Sequence, residues 1–140
     1  MKRIILDTNF LLIPFTKKVD IFRELDRIIH VPYKICIIRE TIDELEKIRK
    51  NARKGRDKDA AKMAIQLINV KNILVLDNEQ KDLNRSADSK ITVVDDIILK
   101  FIEKDMIVAT QDKAFKERLI NKDVNIIYLR NKKLEIKDVL

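Results

Sequence analysis

Glycine occurs once in this 140-residue chain, at position 55. No P-loop or dinucleotide fingerprint can be written with a single glycine, which excludes both of those phosphate cradles. Histidine is equally scarce. His30 stands alone, and with Cys36 as the sole cysteine it cannot make a conventional zinc site. No Ser-His-Asp or Cys-His pair stands out. Cys36 lies in the apolar run KICII. A lone thiol expected to be buried argues against disulfides and suits a reducing compartment. Tryptophan is absent and aromatics are only 5% of residues, so stacking on several unpaired bases is not advertised. The longest apolar run, FLLIPF, falls far short of the ~18 residues that a membrane span needs. No signal peptide is visible, and the expected location is the cytoplasm, away from membranes.

What is present is charge. Lys plus Arg number 30 against 23 Asp plus Glu, a net +7. The excess favours a polyanionic partner such as nucleic acid. It is concentrated in KIRKNARKGRDKDAAK (47–62), where eight basic residues face two Asp. Lys47, Arg49, Lys50, Arg53, Lys54 and Arg56 are the candidates for gripping a phosphate backbone, with strong salt dependence. A solvated helix pair laced by i,i+4 ion pairs is the competing reading. Apolar residues at 46% and charged residues at 38% describe a folded protein with a highly charged surface. The length predicts one domain, residues 1–140.

Strand and helix signals alternate along the chain. Strands are predicted at 2–6, 33–38, 72–77, 106–110 and 125–129. The segment NFLLIPF reads as one short helical turn closed near Pro14. Helices are predicted at 19–30, 39–52, 57–70, 92–104 and 112–122, with Gly55 breaking the second from the third and Asp57 capping the third. NEQKDLNRSADSK (78–90) reads as a polar loop, and the tail NKKLEIKDVL as an edge strand or a loosely docked end. Strands separated by helices imply an α/β fold with a mainly parallel sheet covered on both faces.

In such sheets, sites form beyond the carboxyl ends of the strands. IILD places Asp7 there, and IVATQD places Asp112 there. Asp is also a favoured helix N-cap, worth about 1 kcal/mol, and one residue can serve both purposes. In TVVDD, the helical wheel puts Asp95 on the border of the buried stripe and Asp96 nearly opposite it, where Lys100 can pair with Asp96. For Asp95 the competing reading is a first-turn carboxylate favoured by the helix dipole, with Thr92 as cap. In helix 39–52, Glu44 and Glu46 lie at the two edges of the apolar stripe, and periodicity does not choose between them. Acidic side chains converging on one cleft repel each other, by about 4 kcal/mol per pair at 4 Å and an effective dielectric near 20. They persist there only if a cation or protons neutralise them. Oxygen-only ligands suit Mg²⁺ or Mn²⁺.

ILDTN, TIDELEKI, VVDDIIL and IVATQD, in that order and spacing, resemble the PIN-domain nucleases over roughly residues 2–130. The terminal VNIIYLRNKKLEI resembles the branch containing archaeal PIN proteins related to ribosomal-RNA-processing nucleases; VapC-type toxins share the core. The resemblance implies a PIN-like three-layer sandwich and a metal-dependent ribonuclease. The acidic quartet it implies is Asp7, Glu44, Asp95 and Asp112, holding Mg²⁺ or Mn²⁺, with Asp96 as substitute. Thr8 or Asn9, and Thr110, match the small polar residues that support the family's site. Gln111 stands where the family commonly carries Asn. The resemblance also implies RNA as substrate, a homodimer, and an antitoxin or ribosome-maturation partner. A haloacid-dehalogenase-type phosphatase would need a second Asp two residues after Asp7, and position 9 is Asn. A response-regulator receiver would need its acidic pair early in the chain. The rival from another class is a PIN-like module that binds RNA or protein without cutting.

Overall fold

A computed structural model describes residues 1–77 and 94–137. In chain order the elements are β1 (Lys2–Leu6), α1 (Thr8–Thr16), α2 (Ile21–Ile28), β2 (Tyr33–Ile38), α3 (Arg39–Asn51), α4 (Gly55–Val70), β3 (Leu74–Leu76), α5 (Val94–Phe101), β4 (Met106–Ala109), α6 (Lys113–Asn121), β5 (Asn125–Arg130) and β6 (Lys133–Lys137). The six strands form one sheet in the order β3-β2-β1-β4-β5-β6. All pairs are parallel except β5 with β6. β1 therefore lies between β2 and β4, where the chain's winding reverses, and that switch point opens a crevice at the carboxyl ends of β1 and β4.

Strand alternation divides the core in two. Ile4, Leu6, Ile37, Ile107, Ala109 and Ile127 face one side and pack with apolar residues of α1, α2, α3 and α4. Ile5, Cys36, Ile38, Met106, Val108 and Ile126 face the other and pack with α5 and α6. Helices thus cover both faces, and the apolar strand runs of the sequence follow from burial on both sides.

Four expectations need correction. The turn expected to close near Pro14 is a nine-residue helix that contains Pro14. Phe10, Leu11 and Ile13 are buried there, and Lys17 N–H reaches the Ile13 carbonyl at 2.8 Å, so core contact carries the helix past the missing proline donor. Gly55 does not break a helix. It opens α4, and the break falls at Ala52, which is extended (φ −62°, ψ 140°). A continuous helix would have stacked Arg49 against Arg53 and Lys50 against Lys54, like charges one turn apart. Asp57 lies in the first turn of α4, and Lys54 takes the N-cap position without a side-chain bond. β3 is only three residues long. The polar segment 78–90, the proposed Thr92 cap and residues 138–140 lie outside the described residues.

The tail forms an edge strand. Asn131 and Lys132, with φ of 50° and 63°, make the two-residue hairpin turn that twists strands correctly. α2 clamps the result: Arg27 Nη2 donates to the Leu134 carbonyl at 2.8 Å, and Leu134 N–H donates to Glu24 Oε1 at 2.9 Å.

Candidate active site

The carboxylates singled out in the sequence come from four separate elements. Asp7 follows β1, Glu44 lies midway along α3, Asp95 is in the first turn of α5, and Asp112 follows β4. Asp7 is only 4% exposed. Its Oδ1 accepts the Phe10 N–H at 2.7 Å, capping α1, and its Oδ2 accepts the Thr110 hydroxyl. The buried Thr110 Oγ1 in turn accepts the Asp112 N–H at 3.1 Å, so one hydroxyl ties the ends of β1 and β4 together. Asp112 is exposed and caps α6, accepting the Phe115 N–H at 3.0 Å. Capping and the crevice therefore use the same two side chains. Glu44, also exposed, accepts the buried Thr8 hydroxyl at 2.9 Å.

Burial is the main cause that lifts Asp7 from 3.8 to about 6. The charges of Asp95 and Asp112 push it further up, against the hydrogen bonds from Thr110 and Phe10. Half-buried Asp95 is likewise lifted to about 6, by desolvation first and then by Asp112 and Glu44; Arg118 opposes the rise. The four carboxylates thus influence one another electrostatically across a single crevice. Yet among the described residues no three His, Cys, Asp or Glu side chains are arranged to hold a metal ion as they stand. An all-oxygen donor set of this kind still fits Mg²⁺, which keeps several of its waters and so tolerates gaps between protein ligands.

The other sequence candidates divide. Asp96 is exposed and pairs with Arg118 at 2.7 Å, not with Lys100 as the wheel suggested. α6 covers the same face of the sheet as α5 and brings that guanidinium across. Glu46 is turned to an ion pair with Arg49 at 2.7 Å, leaving Glu44 as the α3 carboxylate at the crevice. Asn9 is exposed in the first turn of α1. Lys47, Arg49, Lys50, Arg53, Lys54 and Arg56 are all exposed, with Arg49 engaged by Glu46. Gln111 points elsewhere: its Nε2 donates to the Leu129 carbonyl at 3.0 Å and its Oε1 accepts the Leu129 N–H at 2.6 Å. The side chain copies a backbone partner and extends the β4–β5 ladder by a step, a reach that the shorter Asn lacks. Sequence reasoning missed Arg118 altogether, because nothing in its spacing on α6 points to a helix that precedes it.

Residues 4–132 match the family model described as a PIN like domain. The chain belongs to the PIN-domain family. One relative is Ribonuclease VapC4 of Methanocaldococcus jannaschii, 30% identical over 136 residues, covering 95% of this PIN chain and 94% of that protein. Among solved structures, the PIN domain endonuclease Utp24 superposes with a TM-score of 0.76 at 24% identity, covering 99% of this chain and 95% of that one. A domain of a functionally unknown protein from Methanocaldococcus jannaschii gives 0.58 at 19% identity, covering 100% and 99%. These two likenesses bear on the PIN fold alone.

Proposed function

We propose that this PIN-domain chain is a divalent-metal-dependent endoribonuclease, hydrolysing RNA phosphodiester bonds. The observation that carries the reading is the electrostatic influence of Asp95 and Asp112 on Asp7, and of Asp112 and Glu44 on Asp95, which together with burial raises Asp7 and Asp95 to about 6. Family membership and the ribonuclease relative support it.

Asp7 and Asp112, fixed at strand ends, are the direct ligands in this reading. Glu44 and Asp95 ligate or hold metal-bound water, with Asp96 as substitute. The chemistry supplied by bound Mg²⁺ or Mn²⁺ is activation of a water and neutralisation of charge on the scissile phosphate. The chain's own residues prepare the site. Thr110 orients Asp7, Thr8 orients Glu44, and both hydroxyls come from buried residues that do not rotate away into solvent. Asn9 belongs with them as a supporting residue from the resemblance. Protons held by Asp7 and Asp95 near pH 6 must leave before both carboxylates serve as ligands. The basic residues 47–56 bind the RNA backbone.

The 140 residues act as one domain, in the cytoplasm and as a homodimer; no helix among the described residues is long and apolar enough to cross a membrane. The biological role is that of a toxin held by an antitoxin, or of an RNA-maturation enzyme with a ribosome-assembly partner. A second reading is a PIN-like module that binds RNA or protein without cutting, against which the acidic quartet argues. RNA cleavage in Mn²⁺ against EDTA, comparing wild type with Asp7→Asn and Asp112→Asn, separates the two. Cutting that needs Mn²⁺ and fails in both variants supports the enzyme. A wild type that binds RNA but never cuts supports the module.

A further inference from the structure

Two open clefts lie side by side at the far end of α1. One, of about 400 Å³, is lined by Phe15, Lys18, Phe22 and Lys71, with Pro14, Val19, Asp20 and Leu67. The other, of about 330 Å³, is lined by Phe15, Thr16, Lys17, Arg56 and Asp57. Phe15 is the wall they share, and it is only partly buried. Arg56, at the start of α4, joins the second cleft to the basic stretch that follows Glu44.

The charge here is unspent. Lys17, Lys18 and Arg56 have no ion-pair partner among the described residues, although Asp57 lines the same cleft. Asp20 is engaged in capping α2, accepting from Phe22 and Arg23 N–H groups. The Lys71 ammonium covers the Phe22 ring at 5.0 Å. Lys18 stands in the left-handed region (φ 55°), where a lysine is strained and a glycine would be at ease. Phe15 lies eight residues beyond Asp7, roughly 12 Å along a helix that rises 1.5 Å per residue. That is a few nucleotides from the crevice.

We infer that these paired clefts bind an unpaired RNA strand leading away from the carboxylates, its phosphates held by Lys17, Lys18 and Arg56 and one base laid against Phe15. Cations on both flanks of an aromatic face are the arrangement that single strands use: charge follows the backbone, and the ring takes a base of any identity. A duplex, its bases already stacked, gains nothing from Phe15. The inference rests on the ribonuclease reading for its substrate and extends the binding surface beyond residues 47–56 to the α1–α2 connection.

The test is binding of a short fluorescein-labelled oligouridylate to the full chain in EDTA, titrated over salt. The variants are a combined Lys17→Gln, Lys18→Gly, Arg56→Gln, and separately Phe15→Leu. Lys18→Gly relieves the strained backbone, and Phe15→Leu keeps an apolar packing group, so thermal melting of each variant reads folding independently of binding. The triple variant is expected to bind more weakly and to lose roughly two from the slope of log affinity against log salt, at about 0.7 per single-strand phosphate. Phe15→Leu is expected to weaken binding roughly fivefold or more with the slope unchanged. The same sequence annealed to its complement should be insensitive to Phe15→Leu. A folded triple variant with wild-type affinity and slope overturns the inference, as does an equal loss from Lys104→Gln with Lys122→Gln, outside both clefts. A wild type that never cleaves in Mn²⁺, paired with a triple variant that binds weakly, sinks the ribonuclease reading and leaves the clefts standing. Cleavage by the wild type with binding untouched in the triple variant does the reverse.

Discussion

Asp7→Asn should make the metal-free protein more stable at neutral pH while removing its proposed activity. Folding raises the Asp7 carboxyl from 3.8 to about 6. A group with that shift holds its proton more tightly when folded. Its stabilising contribution is complete below 3.8 and is lost as pH rises through 6. At pH 7.5 the ionised carboxylate therefore costs on the order of 3 kcal/mol relative to the protonated state, taking 1.36 kcal/mol per pH unit. Asn carries no charge and caps a helix about as well as Asp, so the Phe10 N–H keeps its acceptor. Thr110 fares less well. Its Oγ1 already accepts from Asp112 N–H, and facing an Asn amide it would accept again and leave its own hydrogen unpaired, at about 1 kcal/mol. The net expectation is a gain of roughly 1–2 kcal/mol at pH 7.5 in EDTA, a rise of several degrees in Tm for a chain of this size. At pH 4 the gain should vanish or reverse. Saturating Mn²⁺ should invert the order at pH 7.5, since an ion at 100 times its Kd adds about 2.7 kcal/mol to the protein that binds it. Urea melts of both proteins at the two pH values, with and without Mn²⁺, measure each difference. An Asn variant less stable than wild type at pH 7.5 in EDTA, by the same margin at pH 4, would show that Asp7 is held as a cap and that charge crowding plays no part.

Thr8→Val removes the hydroxyl that orients Glu44. Glu44 is exposed and regains water, so urea stability should fall by less than about 1 kcal/mol, whereas Mn²⁺-dependent cleavage should fall roughly tenfold or more. Arg118→Gln removes the cation that favours ionised Asp95; isothermal titration with Mn²⁺ across pH 5–7.5 should place half-maximal affinity at a higher pH than in wild type. Gln111→Ala deletes both bonds to the Leu129 backbone. The freed groups regain water, so it should cost less than about 1 kcal/mol in urea melts; amide exchange should quicken at Leu129, whose N–H loses its acceptor, and not at Thr110, whose bond to the Ile127 carbonyl is untouched.

The sheet was legible because its strands are buried on both faces. KRIIL, YKICII and MIVA are apolar with little alternation, and they sit where the sequence reading placed them. Boundaries set by tertiary contact were not legible. Pro14 and Gly55 look like punctuation, yet the first is carried inside α1 by its buried neighbours and the second begins α4 with open space around it. The docking of the tail depends on Glu24 and Arg27, more than a hundred residues upstream of Leu134. No local pattern encodes a contact over that separation.

The site shows the same limit more sharply. A helical wheel reports the direction of a side chain relative to its own helix, and it placed Asp95 at the border and Asp96 outward, as found. It cannot report which neighbour waits there: spacing offers Asp96 Lys100, and the fold supplies Arg118. Glu44 and Glu46 were symmetric on the wheel; Thr8, 36 residues earlier, meets only the first. The choice between cap and ligand for Asp7 and Asp112 was unanswerable from sequence because the two roles share atoms. Each capping bond uses one carboxylate oxygen, from the N–H of Phe10 or Phe115. It also fixes the rotamer. A carboxylate already immobilised loses less side-chain entropy when a cation arrives, so the cap lowers the cost of ligation instead of competing with it. By that argument an Asp7→Glu change, which keeps the charge and breaks the short capping geometry, should weaken Mn²⁺ binding nearly as much as Asn does. Affinity for Mn²⁺ that survives in the Glu variant would mean that charge alone, without the cap, suffices to hold the ion.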